Sequence, residues 1–209
     1  RFTSFESVIE GPLFSGFNAL QEHVVFKKDG SEKIALNESF KVKVYPVNNQ
    51  DYFIVDIESE LSCAGESPVV LLEYRYGGIG WRTTEKWDRY NSEVITSDGK
   101  TRKDADGSLA RWFMVQGEID VDYAGVVMMS YPDNYNHPEP LRIWPEDMYD
   151  RGDMFANFSP TKNKDWNLEP GKKYLLKYRL LVYNGKFDKD KADIAWQYFA
   201  VPPVVTVIK

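Results

Sequence analysis

Apolar and polar residues alternate with a period of two along most of this chain, and that pattern favours antiparallel β-sheet over other folds. In "FKVKVYPV", Phe40, Val42 and Val44 alternate with Lys41, Lys43 and Tyr45; in "YFIVDIESEL", Phe53, Val55 and Ile57 oppose Ile54, Asp56 and Glu58. Successive side chains of a strand point to opposite faces, so both segments read as half-buried strands. "VVLLEYRY", "ARWFMVQGEI", "YAGVVMMSY", "YLLKYRLLVY" and the terminal "VVTVIK" extend the series, separated by the turn signals "KDGS", "SDGK", "DADG", "EPGK" and "YNGK". The turns are evenly spread and no Pro/Ser linker divides the chain. The expectation is a single all-β domain over residues 1–209, an antiparallel β-sandwich of jelly-roll or supersandwich-like kind.

One segment departs from this rhythm. In "GKFDKDKADIAWQYFAVPP", Ala192, Ala195, Trp196 and Phe199 recur at helical spacing, Asp188 is placed to cap the first turn, and Pro202 and Pro203 stop the last. This predicts one short C-terminal α-helix packed on the sandwich. Asp188, Asp190 and Asp193 read as capping charge, since the central glycine and distal glutamate of a calcium loop are missing.

Composition narrows the function classes. A formal net charge of −6 and a pI near 5.1 argue against a nucleic acid or an acidic membrane surface, both of which draw affinity from clustered Lys and Arg. No apolar run has the length of a membrane-spanning helix, so membrane insertion is not expected. The single cysteine, Cys63, excludes an internal disulfide and a multi-cysteine metal site. His23 and His137 are the only histidines and lie far apart, so no metal site and no cofactor are expected. The aromatic share of 15% suits sheet surfaces and stacking on flat ligands such as sugar rings.

Two stretches concentrate chemistry. "EYRYGGIGWRTTEKWD" (73–88) is no phosphate loop, because Trp81 and Arg82 stand where a Lys-Ser/Thr pair is needed, and no dinucleotide fingerprint, because the third glycine and the βαβ context are absent. The remaining reading is a strand over 69–76 ending in a sharp glycine bend that gathers Arg75, Arg82 and Glu85, with Trp81 or Trp87 as a stacking face. "YPDNYNHPEPLRIWP" (131–145) is a rigid, polar, proline-rich loop carrying Asn134, His137 and Trp144. Glu85 and His137 are the candidate catalytic acid/base groups, and Arg75, Arg82, Trp87, Asn134 and Trp144 the candidate ligand-binding residues. The same residues also suit an Arg–Glu ion pair bracing a loop over a buried Trp, with His137 as a turn residue. His23, within a strand, is assigned no role. "NES" at Asn37 and "NFS" at Asn157 match the glycosylation acceptor pattern.

In order along the chain, "YRYGGIGWR", "YAGVVMMSYPDNYNHPEPLRIWP", "MFANFSP" and "LEPGKKYLLKYRLLVYNGKF" resemble the C-terminal two thirds of the bacterial PmoA-like family, over about Phe5 to Phe199. The resemblance implies an all-β sandwich associated with carbohydrate degradation and exported to the periplasm or the extracellular space. Arg75, Arg82, Glu85, Asn134 and His137 are the polar positions that match. The family's methane oxygenase label fits this chain poorly, because copper chemistry wants several histidines and a membrane subunit wants spanning helices. The upstream histidine-rich "HHRG"-like motif of the relatives has no counterpart here.

These readings converge on a carbohydrate-associated β-sandwich protein acting on a sugar or sugar derivative, or else a non-catalytic module binding glycan or protein. The partner is a carbohydrate or another small polar ligand, and a homo-oligomer is possible. The chain starts at Arg1 without methionine or leader, which reads as a processed or truncated product. A partly apolar sheet edge or face near the first strand, exposed or covered by a partner chain, is the corresponding structural expectation.

Overall fold

The computed structural model describes residues 1–46 and 52–203. The expected terminal strand "VVTVIK" lies outside the described residues. Four long strands open the chain: β1 (Phe2–Ile9), β2 (Ser15–Phe26), β3 (Glu32–Tyr45) and β4 (Tyr52–Cys63). Shorter ones follow as β5 (Val69–Leu71), β6 (Ile79–Arg82), β7 (Ser92–Thr96) and β8 (Leu109–Ala110). Then come β9 (Trp112–Ile119), β10 (Asp122–Ser130), β11 (Glu139–Ile143), β12 (Phe155–Phe158), β13 (Trp166–Leu168), β14 (Lys173–Asn184) and helix α1 (Lys189–Ala200). An eight-stranded antiparallel sheet runs in the order β1-β2-β3-β4-β14-β10-β9-β7, a four-stranded sheet in the order β6-β12-β11-β8, and β13 pairs with β5. An all-β sandwich with one short helix is therefore the architecture of the described residues.

The two faces of the large sheet sort by alternation. In "WFMV" every residue is apolar, which suits a strand buried on both sides. Phe113 and Val115 face the four-stranded sheet, where Leu141, Ile143, Ala156 and Phe158 meet them; Trp112 and Met114 face the other way, against Ala192 and Phe199 of α1. Burying each large side chain of this kind stabilises the fold by roughly 1.5–3 kcal/mol. The helix begins as its sequence requires, with the Asp188 carboxylate accepting from Lys191 N at 2.8 Å. No helix among the described residues is long and apolar enough to cross a membrane.

One strand is shorter than expected, and the expected partly apolar edge near the first strand is present. The strand expected over 69–76 ends at Leu71, because the Glu73 amide turns to Asp165 Oδ1 at 2.6 Å and the Tyr74 amide to Thr161 O at 3.1 Å instead of continuing a ladder. Strands β1 to β4 form a less covered wing of the large sheet, in which Leu36, Leu61 and Tyr52 still join the core while most other residues are half-buried or exposed. β1 is exposed along its whole length, and its aromatic rings step inward across the wing: Phe2 to Phe5 at 5.1 Å, Phe5 to Phe17 at 5.5 Å, Phe17 to Phe40 at 6.4 Å.

Candidate functional site

The glycine bend turns under steric necessity. Gly78 has a φ of +57°, and a Cβ there would lie 2.5 Å from Phe158 O and 2.6 Å from Pro160 Cδ. Gly80 on β6 sits beneath the Phe155 ring, where a Cβ would come within 2.8 Å of it. Only residues without a side chain let the chain pass this close to β12 before entering β6. The outcome is that Arg82 reaches Trp144, its guanidinium carbon 4.5 Å from the ring centre. Trp144 Nε1 donates to the Tyr76 hydroxyl at 3.1 Å, and Arg75 lies over the Tyr76 ring at 5.4 Å. The bend and the far end of the proline-rich stretch thus meet on the outer face of the four-stranded sheet, with Arg75, Arg82 and Trp144 together.

The remaining candidates part company. Glu85 is exposed, beside Arg82 and Arg151, and its backbone carbonyl accepts from Arg151 Nη1. Trp87, expected as a stacking face, is 2% exposed; its ring packs edge-on against Trp81 and its Nε1 donates to Glu118 O, so core packing consumes it. His137 lies at the opposite end of β11 from Trp144, seven residues away or on the order of 20 Å along extended chain. Glu85 and His137 therefore do not face one another. The His137 ring is half-buried, stacks on Trp196 and contacts Ser130 Oγ through Nδ1 at 3.1 Å; desolvation, helped by Arg111, holds its pKa below the ordinary value.

Asn134 is likewise structural. Its amide donates to Lys177 O and to Glu139 Oε1, both at 2.9 Å, and its carbonyl accepts from Lys177 N at 2.8 Å, which ties the loop to β14. Glu139, placed between two prolines, is fully buried. It accepts from Ser130 Oγ at 2.5 Å, Asn134 and the Tyr178 hydroxyl at 3.0 Å, and burial pushes its pKa up to about 7 despite these donors. Ser130 is also wholly buried, so no substrate reaches this network.

A cleft of about 600 Å³ opens elsewhere, between the covered part of the large sheet, the root of the wing and the glycine bend. Leu36, Phe40, Ile57 and Leu61 form its floor, and Tyr74, Tyr76, Ile79 and Trp166 its opposite wall. Three polar side chains stand on the floor at neighbouring positions of β2, β3 and β4. His23 Nε2 meets Glu38 Oε2 at 2.8 Å, and Ser59 Oγ donates to Glu38 Oε1 at 2.5 Å. Glu38 keeps 12% of its side chain exposed and His23 48%. Burial works to raise the Glu38 pKa, but the hydrogen bonds from His23 and Ser59 outweigh it and hold the carboxyl below its usual range. The cluster is an ionised carboxylate with an imidazole at its side and a hydroxyl beneath, in an apolar and aromatic enclosure. No cluster of three or more metal-ligating side chains exists among the described residues.

With this geometry in place, the comparisons with known proteins add one result. The model of a family of unknown function, DUF6807, matches residues 1–197. The chain belongs to the DUF6807 family. No curated protein matches it. The DUF6807 match spans the wing, the sandwich and most of the helix, so cleft and bend both fall within it.

His23, Glu38 and Ser59 escape a reading of the sequence, because partners on three strands become neighbours only once the register is known. A bulge between His23 and Val24 shifts that register. One signal was present: extending the Phe40, Val42, Val44 stripe backwards sets Glu38 on an apolar face, where a carboxylate needs partners. The "HPEP" context of Glu139 carried no comparable sign.

Proposed function

We propose that the protein binds a hydroxyl-bearing small ligand, a sugar or sugar derivative, in the cleft between the wing and the glycine bend, and that the His23–Glu38 pair exchanges a proton with a ligand hydroxyl. The observation that carries this reading is the near-buried Glu38 carboxylate, held by His23 and Ser59 in an enclosure lined by Phe40, Tyr74, Tyr76 and Trp166. Aromatic and aliphatic walls accept the C–H face of a sugar ring, while a few convergent polar groups fix its orientation. An imidazole within hydrogen-bond reach of a carboxylate is a usual acid/base arrangement, the carboxylate orienting the ring and steadying its charged form. The resemblance of the sequence motifs to the PmoA-like family is the ground on which a carbohydrate ligand and a periplasmic or extracellular location are proposed.

A second reading is a non-catalytic glycan-binding module. It is favoured by Glu38 being ionised and already satisfied on both oxygens. Calorimetry against a panel of mono- and oligosaccharides, followed by prolonged incubation with NMR detection of products, separates the two. Turnover abolished by His23→Ala and Glu38→Gln supports acid/base chemistry, and binding without turnover supports the module. If Glu38→Gln and Phe40→Ala both bind every saccharide as the unaltered protein does, the cleft is not the site.

A further inference from the structure

Arg75 and Arg82 are unlike the other arginines of the chain. Five of those pair with carboxylates, and Arg89 and Arg102 donate to backbone carbonyls. Arg75 and Arg82 are both exposed, and neither guanidinium has an ion pair or hydrogen bond to the described residues. Each instead rests over an aromatic ring, Tyr76 for Arg75 and Trp144 for Arg82, and those two rings are joined by their own hydrogen bond. A guanidinium stacked in this way keeps its N–H edge free and loses little further freedom when it grips a planar or tetrahedral oxyanion.

The surroundings deepen the positive character. Arg142, 9% exposed, lies 5.5 Å from the Tyr76 ring centre and pairs with Asp106 at 2.9 Å, an acid it shares with Lys162. Its Nε atom is buried and has no partner among the described residues. The indole of Trp144, together with Arg142, holds the Tyr76 phenol below its ordinary pKa. Glu85 and Asp153 border the hollow beside Arg82, yet neither reaches ion-pair distance of it, and Asp153 is engaged by Arg151 at 2.8 Å. In a chain whose net charge is −6, two guanidinium groups stacked over hydrogen-bonded rings, and unpaired among the described residues, call for an anion from outside.

We propose that the outer face of the four-stranded sheet is an oxyanion-binding site, and that the saccharide held in the neighbouring cleft is acidic, its carboxylate or sulfate ester seated against Arg75 and Arg82. The proposal rests on the cleft reading and adds its substrate class. Tyr76 joins the two places, since its ring lines the cleft while carrying Arg75. Phe155, 5.8 Å from Tyr76 and 5.4 Å from Trp144, completes an unbroken aromatic floor from the cleft to the arginines, and Tyr149, 66% exposed, borders its far end. A single-stranded nucleic acid would also pair rings with aromatics and charges with arginine. The acidic balance of the chain stands against it.

The test is calorimetric titration of the unaltered protein, an Arg75→Gln/Arg82→Gln double variant and Glu38→Gln with a uronic-acid oligomer, a sulfated oligomer, a neutral oligomer of equal length and oligothymidylate. Both arginines are exposed, so the double variant should fold, which circular dichroism checks. The expected result is at least tenfold tighter binding of one or both acidic oligomers than of the neutral one, an advantage that shrinks as salt rises and disappears in the double variant. The better acidic oligomer names the anion. Glu38→Gln should weaken acidic and neutral oligomers alike and keep the preference. Equal affinity for acidic and neutral oligomers, or a preference that survives loss of both arginines, overturns the oxyanion site while leaving the cleft reading intact. A preference lost in the double variant, with Glu38→Gln binding normally, supports the oxyanion site and sinks the cleft. Oligothymidylate bound more tightly than either acidic oligomer overturns the saccharide assignment.

Discussion

The two halves of the eight-stranded sheet use the same alternation to different ends. In the half formed by β14, β10, β9 and β7, both faces are covered, by the four-stranded sheet on one side and α1 on the other, and residues such as Phe113, Met114 and Val127 are wholly buried. In the wing of β1 to β4 the faces are largely open, and burial there is partial. The carboxylates follow suit. Glu139, on β11 of the four-stranded sheet and bonded to Ser130 and Tyr178 of the covered half, is driven towards its neutral form, whereas Glu38 at the root of the wing is held ionised by an imidazole and a hydroxyl. Stability is thus concentrated in one half and accessible polar chemistry in the other.

Mutations test that division, beginning with the largest effect. Phe113→Ala removes a ring packed 4.8 Å from Phe158 and should destabilise the fold by roughly 3–5 kcal/mol in urea unfolding. Next comes pH. Because the Glu139 carboxyl titrates near 7 when folded and near the ordinary carboxylate value when unfolded, its contribution is fully present below about pH 4.5 and is lost as pH rises through 7, a swing of about 3 kcal/mol. Glu139→Gln should flatten that slope. Glu38 has the opposite sign: its contribution is present above the ordinary carboxylate value and is lost as pH falls through its lowered folded value. Unfolding curves of Glu38→Gln that lose the alkaline rather than the acidic slope would break the comparison. Gly78→Ala, which places a Cβ against Phe158 O at positive φ, should cost about 2 kcal/mol and disturb the bend without touching the wing. Smallest is Phe5→Ala on the open strand, where the side chain is 57% exposed and a loss of about 0.5 kcal/mol is expected.

How far the sequence could be read depends on how local each cause is. Alternation in "FKVKV" and "YFIVDI", a doubly apolar run in "WFMV", and an Asp cap with a closing Pro pair all act within a few residues, and each matches an element of the fold. The glycine bend was legible as a bend, and it does bring Arg82 to Trp144. That it would leave Glu85 at the surface, bury Trp87 and place His137 beyond the far end of β11 depends on which strands pair with β12 and β11, and no local pattern encodes that. The cleft cluster asks still more, since His23, Glu38 and Ser59 meet through two strand registers, one of them bulged.

Strand β1 makes its pairing with β2 through two register shifts, between Phe2 and Ser4 and between Phe5 and Ser7. An outermost strand interrupted twice within eight residues is a poor template, because an incoming strand meets donors and acceptors out of phase. The open border of the large sheet is thereby discouraged from growing by one strand after another, so the chain keeps an accessible wing without inviting its own fibres.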